Sequence, residues 1–199
     1  MSSRPGNDRL SVAVESLREG DLLFCSPDTA NAITAVTSGV DGLSIDHVAV
    51  VHRMGGDEGD VFVIEAVKPA VRLTPIGDFL ADNGTILQAR VQVDCDIEAS
   101  VNRCLALVGT PYDDLYLPGD SAIYCSELVQ MCFVNSSDEL IFGTIPMSFH
   151  DQSGNVTEHW KEFYSSRGMN VPEGRPGTNP GELSRRPQIE IIGKIWKRL

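Results

Sequence analysis

The chain has 199 residues, 42% of them hydrophobic and 22% charged, which is ordinary globular composition with enough length for one sizeable core. A net charge of −12 and a pI near 4.6 repel phosphate backbones and anionic lipid surfaces, so nucleic acid and membrane are excluded as expected partners. No apolar run approaches the roughly 20 residues of a membrane span.

The opening Met1 to Asp8 lacks the apolar core of about 7 to 15 residues that a secretory signal needs, so the sequence as it stands is expected to be soluble and cytoplasmic, with export to the cell envelope open if a signal peptide has been removed. Cys25, Cys95, Cys104, Cys125 and Cys132 form an odd set without C-x-x-C spacing, which argues against a disulfide framework and a cysteine-based zinc site. His47, His52, His150 and His159 show no paired-ligand spacing, so neither a metal nor another cofactor is expected. The expected organisation is one domain over 1–199, with an N-terminal extension over 1–18 and a long Pro/Gly-rich loop over 168–187.

In chain order, Asp21 to Phe24 reads as a short strand entered from the Glu19-Gly20 turn, and Asn31 to Ser38 is compatible with a helix. His47 to His52 alternates, with His47, Ala49 and Val51 on one side and Val48, Val50 and His52 on the other. Val61 to Ala66 repeats the pattern, so that Val61, Val63 and Glu65 share a face. The intervening Met54-Gly55-Gly56-Asp57-Glu58-Gly59 is a hairpin connection. Both faces are apolar, which predicts a central place in the sheet.

Strands are expected at Val71 to Thr74 and Thr85 to Val93, separated by a short helix after Pro75. Asp96 is the predicted cap of a helix reaching about Val108. Ser121 is a candidate cap for another helix that contains Cys125, and a final strand lies near Gln188 to Ile192. The pattern predicts an α+β domain with a mainly antiparallel sheet.

Two places can carry chemistry. Cys125 falls in the first turns of its helix, where free amides and the macrodipole favour the thiolate, the nucleophilic form of a cysteine. It also opens an apolar stripe with Leu128, Val129 and Cys132, as a plain core cysteine would. A hairpin turning on Gly56 pairs residues whose numbers sum to 112 and sets His47 opposite Glu65, about 4.5 to 5.5 Å apart at Cβ. A carboxylate so placed fixes the tautomer of an imidazole and supports its charged form. His52, beside the turn, is expected in solvent; His150 and His159 receive no role.

The ordered set Glu19-Gly20-Asp21-Leu22-Leu23-Phe24, Asp46-His47-Val48-Ala49-Val50-Val51, Val63-Ile64-Glu65-Ala66, Pro111-Tyr112-Asp113 and Tyr124-Cys125-Ser126-Glu127-Leu128-Val129 resembles the YiiX-like branch of the permuted NlpC-type peptidase superfamily, over roughly residues 19 to 135. Such proteins look like papain rejoined so that the histidine strand precedes the cysteine helix; the lecithin retinol acyltransferases are similar. The resemblance implies a circularly permuted papain-like fold, Cys125 as nucleophile, His47 as general base and Glu65 as third member. It implies a small amide, peptide or lipid-type substrate, with an acyl enzyme on the path. Where the acyltransferase group carries a second histidine, Glu65 stands here, which favours hydrolysis of an amide, such as a cell-wall-type peptide, over lipid transfer. Tyr124, Asp46, Ser126 and Tyr112 are the candidate substrate-binding residues, and Tyr116 could line the cleft beside Tyr112. The remaining alternatives are a thiol acyltransferase and a binding module without turnover.

Overall fold

The computed structural model describes residues 11–12, 14–56, 59–117, 119 and 121–195. Among the described residues nine strands are formed: β1 (Ser11–Val12), β2 (Leu22–Ser26), β3 (His47–Met54), β4 (Asp60–Ala66), β5 (Val71–Pro75), β6 (Thr85–Val91), β7 (Ile145–Pro146), β8 (Pro176–Gly177) and β9 (Ile189–Ile195). The α-helices are α1 (Ile76–Asp82), α2 (Ile97–Ala106), α3 (Cys125–Cys132), α4 (Glu158–Ser165) and α5 (Pro180–Leu183). The main sheet runs β1-β9-β6-β2-β3-β4-β5, antiparallel except where β1 meets β9, and β7 with β8 forms a separate ribbon.

Alternation in β3 and β4 gives each sheet face its own core. Val48, Val50 and Ile64 pack with Leu22, Phe24, Val101, Leu128 and Val129 under α2 and α3. Ala49, Val51 and Val63 pack with Leu23, Cys25 and Phe79 on the α1 side. β3 therefore lies between β2 and β4 with apolar partners above and below, as the two-sided pattern predicts.

The hairpin register differs from the expected one. Val51 pairs with Val63 and Met54 with Asp60, so partner numbers sum to 114 and the turn spans residues 55–59, of which 57 and 58 lie outside the described residues. The shift is two residues, an even number, so no side chain changes face. By the same count Glu65 stands opposite Ala49, one step along the strand from His47 on the same side.

Other expectations need correction. Residues 32–36 form turns rather than a helix. Asp96 does cap α2, its carboxylate accepting from the Ala99 amide at 2.9 Å. The cap of α3 is Tyr124, not Ser121, because extended backbone persists to residue 124, and Cys125 becomes the first helical residue. His52 is tied down, its Nδ1 lying 2.8 Å from a Glu19 carboxylate oxygen that brackets the strand end.

The stretch 168–187 contains β8 and α5, and Asn179 caps α5 by accepting from the Glu182 amide at 2.6 Å. Of the N-terminal 1–18 stretch, 1–10 and 13 lie outside the described residues, and β1 continues the sheet through β9. Gly20 at φ +75 makes the turn into β2; a Cβ there would stand 2.8 Å from Ile97 Cγ2, so both conformation and close approach require glycine.

Candidate active site

The start of β3, the end of β4, the start of β5 and the N-terminus of α3 converge at one end of the sheet. His47 Nε2 lies 2.9 Å from Glu65 Oε2, the diagonal reach that the shifted register demands. The other Glu65 oxygen accepts from Thr74 Oγ1 at 2.7 Å and from Arg72 Nε and a terminal guanidinium nitrogen at 3.1 and 3.0 Å. β5 pairs beside β4 with Arg72 opposite Glu65, which brings both donors onto the carboxylate.

Burial disfavours the charged form of Glu65, but hydrogen bonds from His47, Thr74 and Arg72, with the charge on the ring, outweigh it and hold its pKa at about 2. Burial likewise works against the His47 cation. Its interactions with Cys125 and Glu65, by hydrogen bonding and by charge, win over that cost and raise the pKa to about 10. Both partners thus favour the charged form of the ring. Since Glu65 occupies Nε2, Nδ1 is the atom left for the sulfur.

Cys125 is buried and opens α3, so its own amide is among those with no partner inside the helix. Its Sγ lies 4.0 Å from the Asp46 carbonyl oxygen, at the residue before the histidine. Phe79 of α1 covers the ring from the other side, with ring centroids 6.2 Å apart.

The expected substrate-binding residues all border the narrow cavity above Cys125. Tyr112 approaches Tyr116 with hydroxyls 3.5 Å apart, while the Asp46 carboxylate accepts from Asn31 Nδ2 at 2.5 Å. Tyr124 Oη accepts from the Thr178 amide at 2.9 Å, and Ser126, fully buried, accepts from Thr178 Oγ1 at 2.9 Å. These two bonds fasten α3 to the loop before α5, so the Tyr124 and Ser126 polar groups are already engaged by protein.

Sequence reasoning missed four contributors. Arg72 and Thr74 were legible only as strand residues, although Glu65, Arg72 and Thr74 share one face once β4 and β5 are paired. Trp160 and Phe149 belong to a second aromatic cluster with Tyr164 and Met147, which walls the cavity. Their segments carry weak periodicity, and only the density of aromatic residues between Phe149 and Tyr164 signals a core. His159 borders an adjoining groove, and His150 pairs with Glu173 at 3.2 Å.

A sheet carrying histidine and carboxylate, followed in sequence by a helix that begins with cysteine, is the papain arrangement in permuted order. The chain belongs to the family of permuted papain-like amidase enzymes, YaeF/YiiX, C92, whose model matches residues 16–193. It is 27% identical over 141 residues to the uncharacterized protein YiiX of Escherichia coli strain K12, covering 68% of each chain. The crystal structure of the metalloprotein YiiX from Escherichia coli O157:H7 superimposes with a TM-score of 0.72 at 23% identity, over 90% of this chain and 98% of that one. Among the described residues, no group of three or more His, Cys, Asp and Glu side chains is arranged to hold a metal ion. Nor is any helix among them long and apolar enough to cross a membrane.

Proposed function

We propose that the chain is a cysteine-nucleophile amidase in which Cys125 attacks, His47 moves the proton and Glu65 holds His47 in place. The observation that carries this reading is the half-buried His47 ring, bonded to Glu65 at 2.9 Å and interacting with a cysteine at a helix N-terminus.

In the first half-reaction the Cys125 thiolate forms a bond to the amide carbonyl carbon, and the C=O electron pair moves to oxygen. The developing oxyanion faces the α3 N-terminus, where the Cys125 amide is free to donate. Collapse breaks the C–N bond as the nitrogen takes the imidazolium proton, and the amine leaves. Water then attacks the thioester while His47 accepts its proton; the carboxylic acid departs, and the imidazolium-thiolate pair is restored. Tyr112, Tyr116 and Asp46 serve as cavity walls around the acyl carbon.

The test is turnover of a panel of amides, peptides and esters by the parent and by Cys125→Ala. Release of amine by the parent and its loss in the variant, with an unchanged melting temperature, is the expected result. Equal rates for the two proteins would end the nucleophile assignment.

A further inference from the structure

Two cavities meet at the line between Cys125 and His47. A narrow one of about 30 Å³ is lined by Cys125 but not His47, and an open groove of about 370 Å³ is lined by His47 but not Cys125. Ile33, Tyr112, Tyr116 and Trp160 belong to both and form the partition. Tyr116 sits at φ 52, left-handed for a bulky residue, with its ring edge-on to Tyr124 at 5.3 Å and to Trp160 at 5.7 Å.

Acyl transfer assigns each half of an amide to one side of this partition. The acyl carbon is bonded to Sγ and stays in the cavity that holds the sulfur. The nitrogen takes its proton from the His47 ring and leaves on the side that holds the ring. Building on the cysteine-amidase reading above, we infer that the Cys125 cavity is an acyl slot and the His47 groove an amine path. The enzyme thereby selects amides with a compact apolar acyl group and tolerates widely different amines.

The walls support both halves. Val36, Met147, Phe149 and Trp160 make the slot apolar, and the last three are buried. It has little slack, for Met147 is backed by Gly177, where a Cβ would stand 2.6 Å from Met147 Cγ and 3.0 Å from Tyr124 Oη. The groove is the wider and more open of the two. Its rim carries the Lys68–Asp114 pair at 2.8 Å, with side chains 65% and 40% exposed, free to part around a bulky amine.

The test uses alkyl chloromethyl ketones of growing chain length, in which Sγ displaces chloride to form a thioether with the alkyl group on the acyl side. Iodoacetamide is the length-independent reference, and labelling of Cys125 is read by peptide mass. The expected labelling rate rises with length and then collapses once the chain outgrows the slot. Met147→Ala, or Val36→Ala should the first variant unfold, moves the collapse to longer chains, by roughly tenfold in rate at the first excluded length. Amides of one short acid with small and bulky amines, all cleaved in a Cys125-dependent way, should agree within about tenfold in kcat/KM. A flat length profile, unaltered by both variants, overturns the slot, and stronger discrimination in the amine series than in the acyl series reverses the assignment. Iodoacetamide labelling of Cys125 no faster than that of the other cysteines refutes the amidase reading itself.

Discussion

Glu65 meets four donors from three side chains while nearly sealed from water, which makes it the most heavily engaged carboxylate of the site. Its folded pKa is depressed, so its stabilising contribution is present above the ordinary value near 4.5 and is lost as pH falls through about 2. His47 is raised, so its contribution is complete below 6.5 and is lost as pH rises through about 10. The pair therefore stabilises the fold most between those ordinary values. Glu65→Gln removes the anion while keeping much of the shape. Its melting temperature should fall relative to the parent most clearly near pH 5 to 6, and the difference should shrink toward pH 10. A difference independent of pH would mean that the pair is not charged. In the same variant the alkaline limb of kcat/KM should move to lower pH, because the imidazolium loses one of its two partners, and the rate should drop roughly 10- to 100-fold. Arg72→Ala should matter less, costing at most about 1 kcal/mol in urea unfolding, since half of the Arg72 side chain is in solvent.

Among the elements, β2 depends on a polar anchor at its entry. Asp21 is 1% exposed and accepts from Arg90 Nε at 2.7 Å, from Gln88 Nε2 at 2.5 Å and from the Arg18 amide at 2.9 Å. Asp21→Ala leaves those donors facing a hole, and should lower urea stability by about 2 to 3 kcal/mol. Alkylation of Cys125 in the still-folded variant should be unchanged, because the anchor lies at the other end of β2. The hairpin of β3 and β4 shows what local pattern can and cannot specify. Period-two alternation identified the face shared by His47 and Glu65 from the sequence alone. The glycine-rich turn left its own length undetermined, and so the register was off by two. The Tyr124 cap of α3 had no polar side-chain signal to find, and Ser121 was the nearest residue of capping type. Arg72 and Thr74 became members of the site only through β4–β5 pairing, a contact that no local spacing announces.

At the level of the whole molecule, the family match over residues 16–193 agrees with the resemblance visible in the ordered motifs, which spanned roughly 19 to 135. Beyond it the last strand was foreseen near Gln188 to Ile192, but the aromatic cluster was not, because it is assembled from far-apart segments. Trp160 Nε1 donates to the Ala32 carbonyl at 3.2 Å, and Tyr164 Oη to that of Leu115 at 2.8 Å. Long-range ties of this kind close the cavity over Cys125, and they join stretches that carry little periodicity of their own. The net charge of −12 places the site in an acidic molecule, and co-sedimentation with anionic vesicles at physiological salt should recover no more protein than the vesicle-free control. The central claim, that His47 and Cys125 act as one charged pair, is tested most directly by the alkylation rate of Cys125 against pH in the parent and in His47→Ala. The ring stays protonated up to about pH 10, so the parent should remain reactive below neutrality, whereas the variant should lose reactivity there and recover it as pH rises. Superimposable profiles for the two proteins would contradict the account.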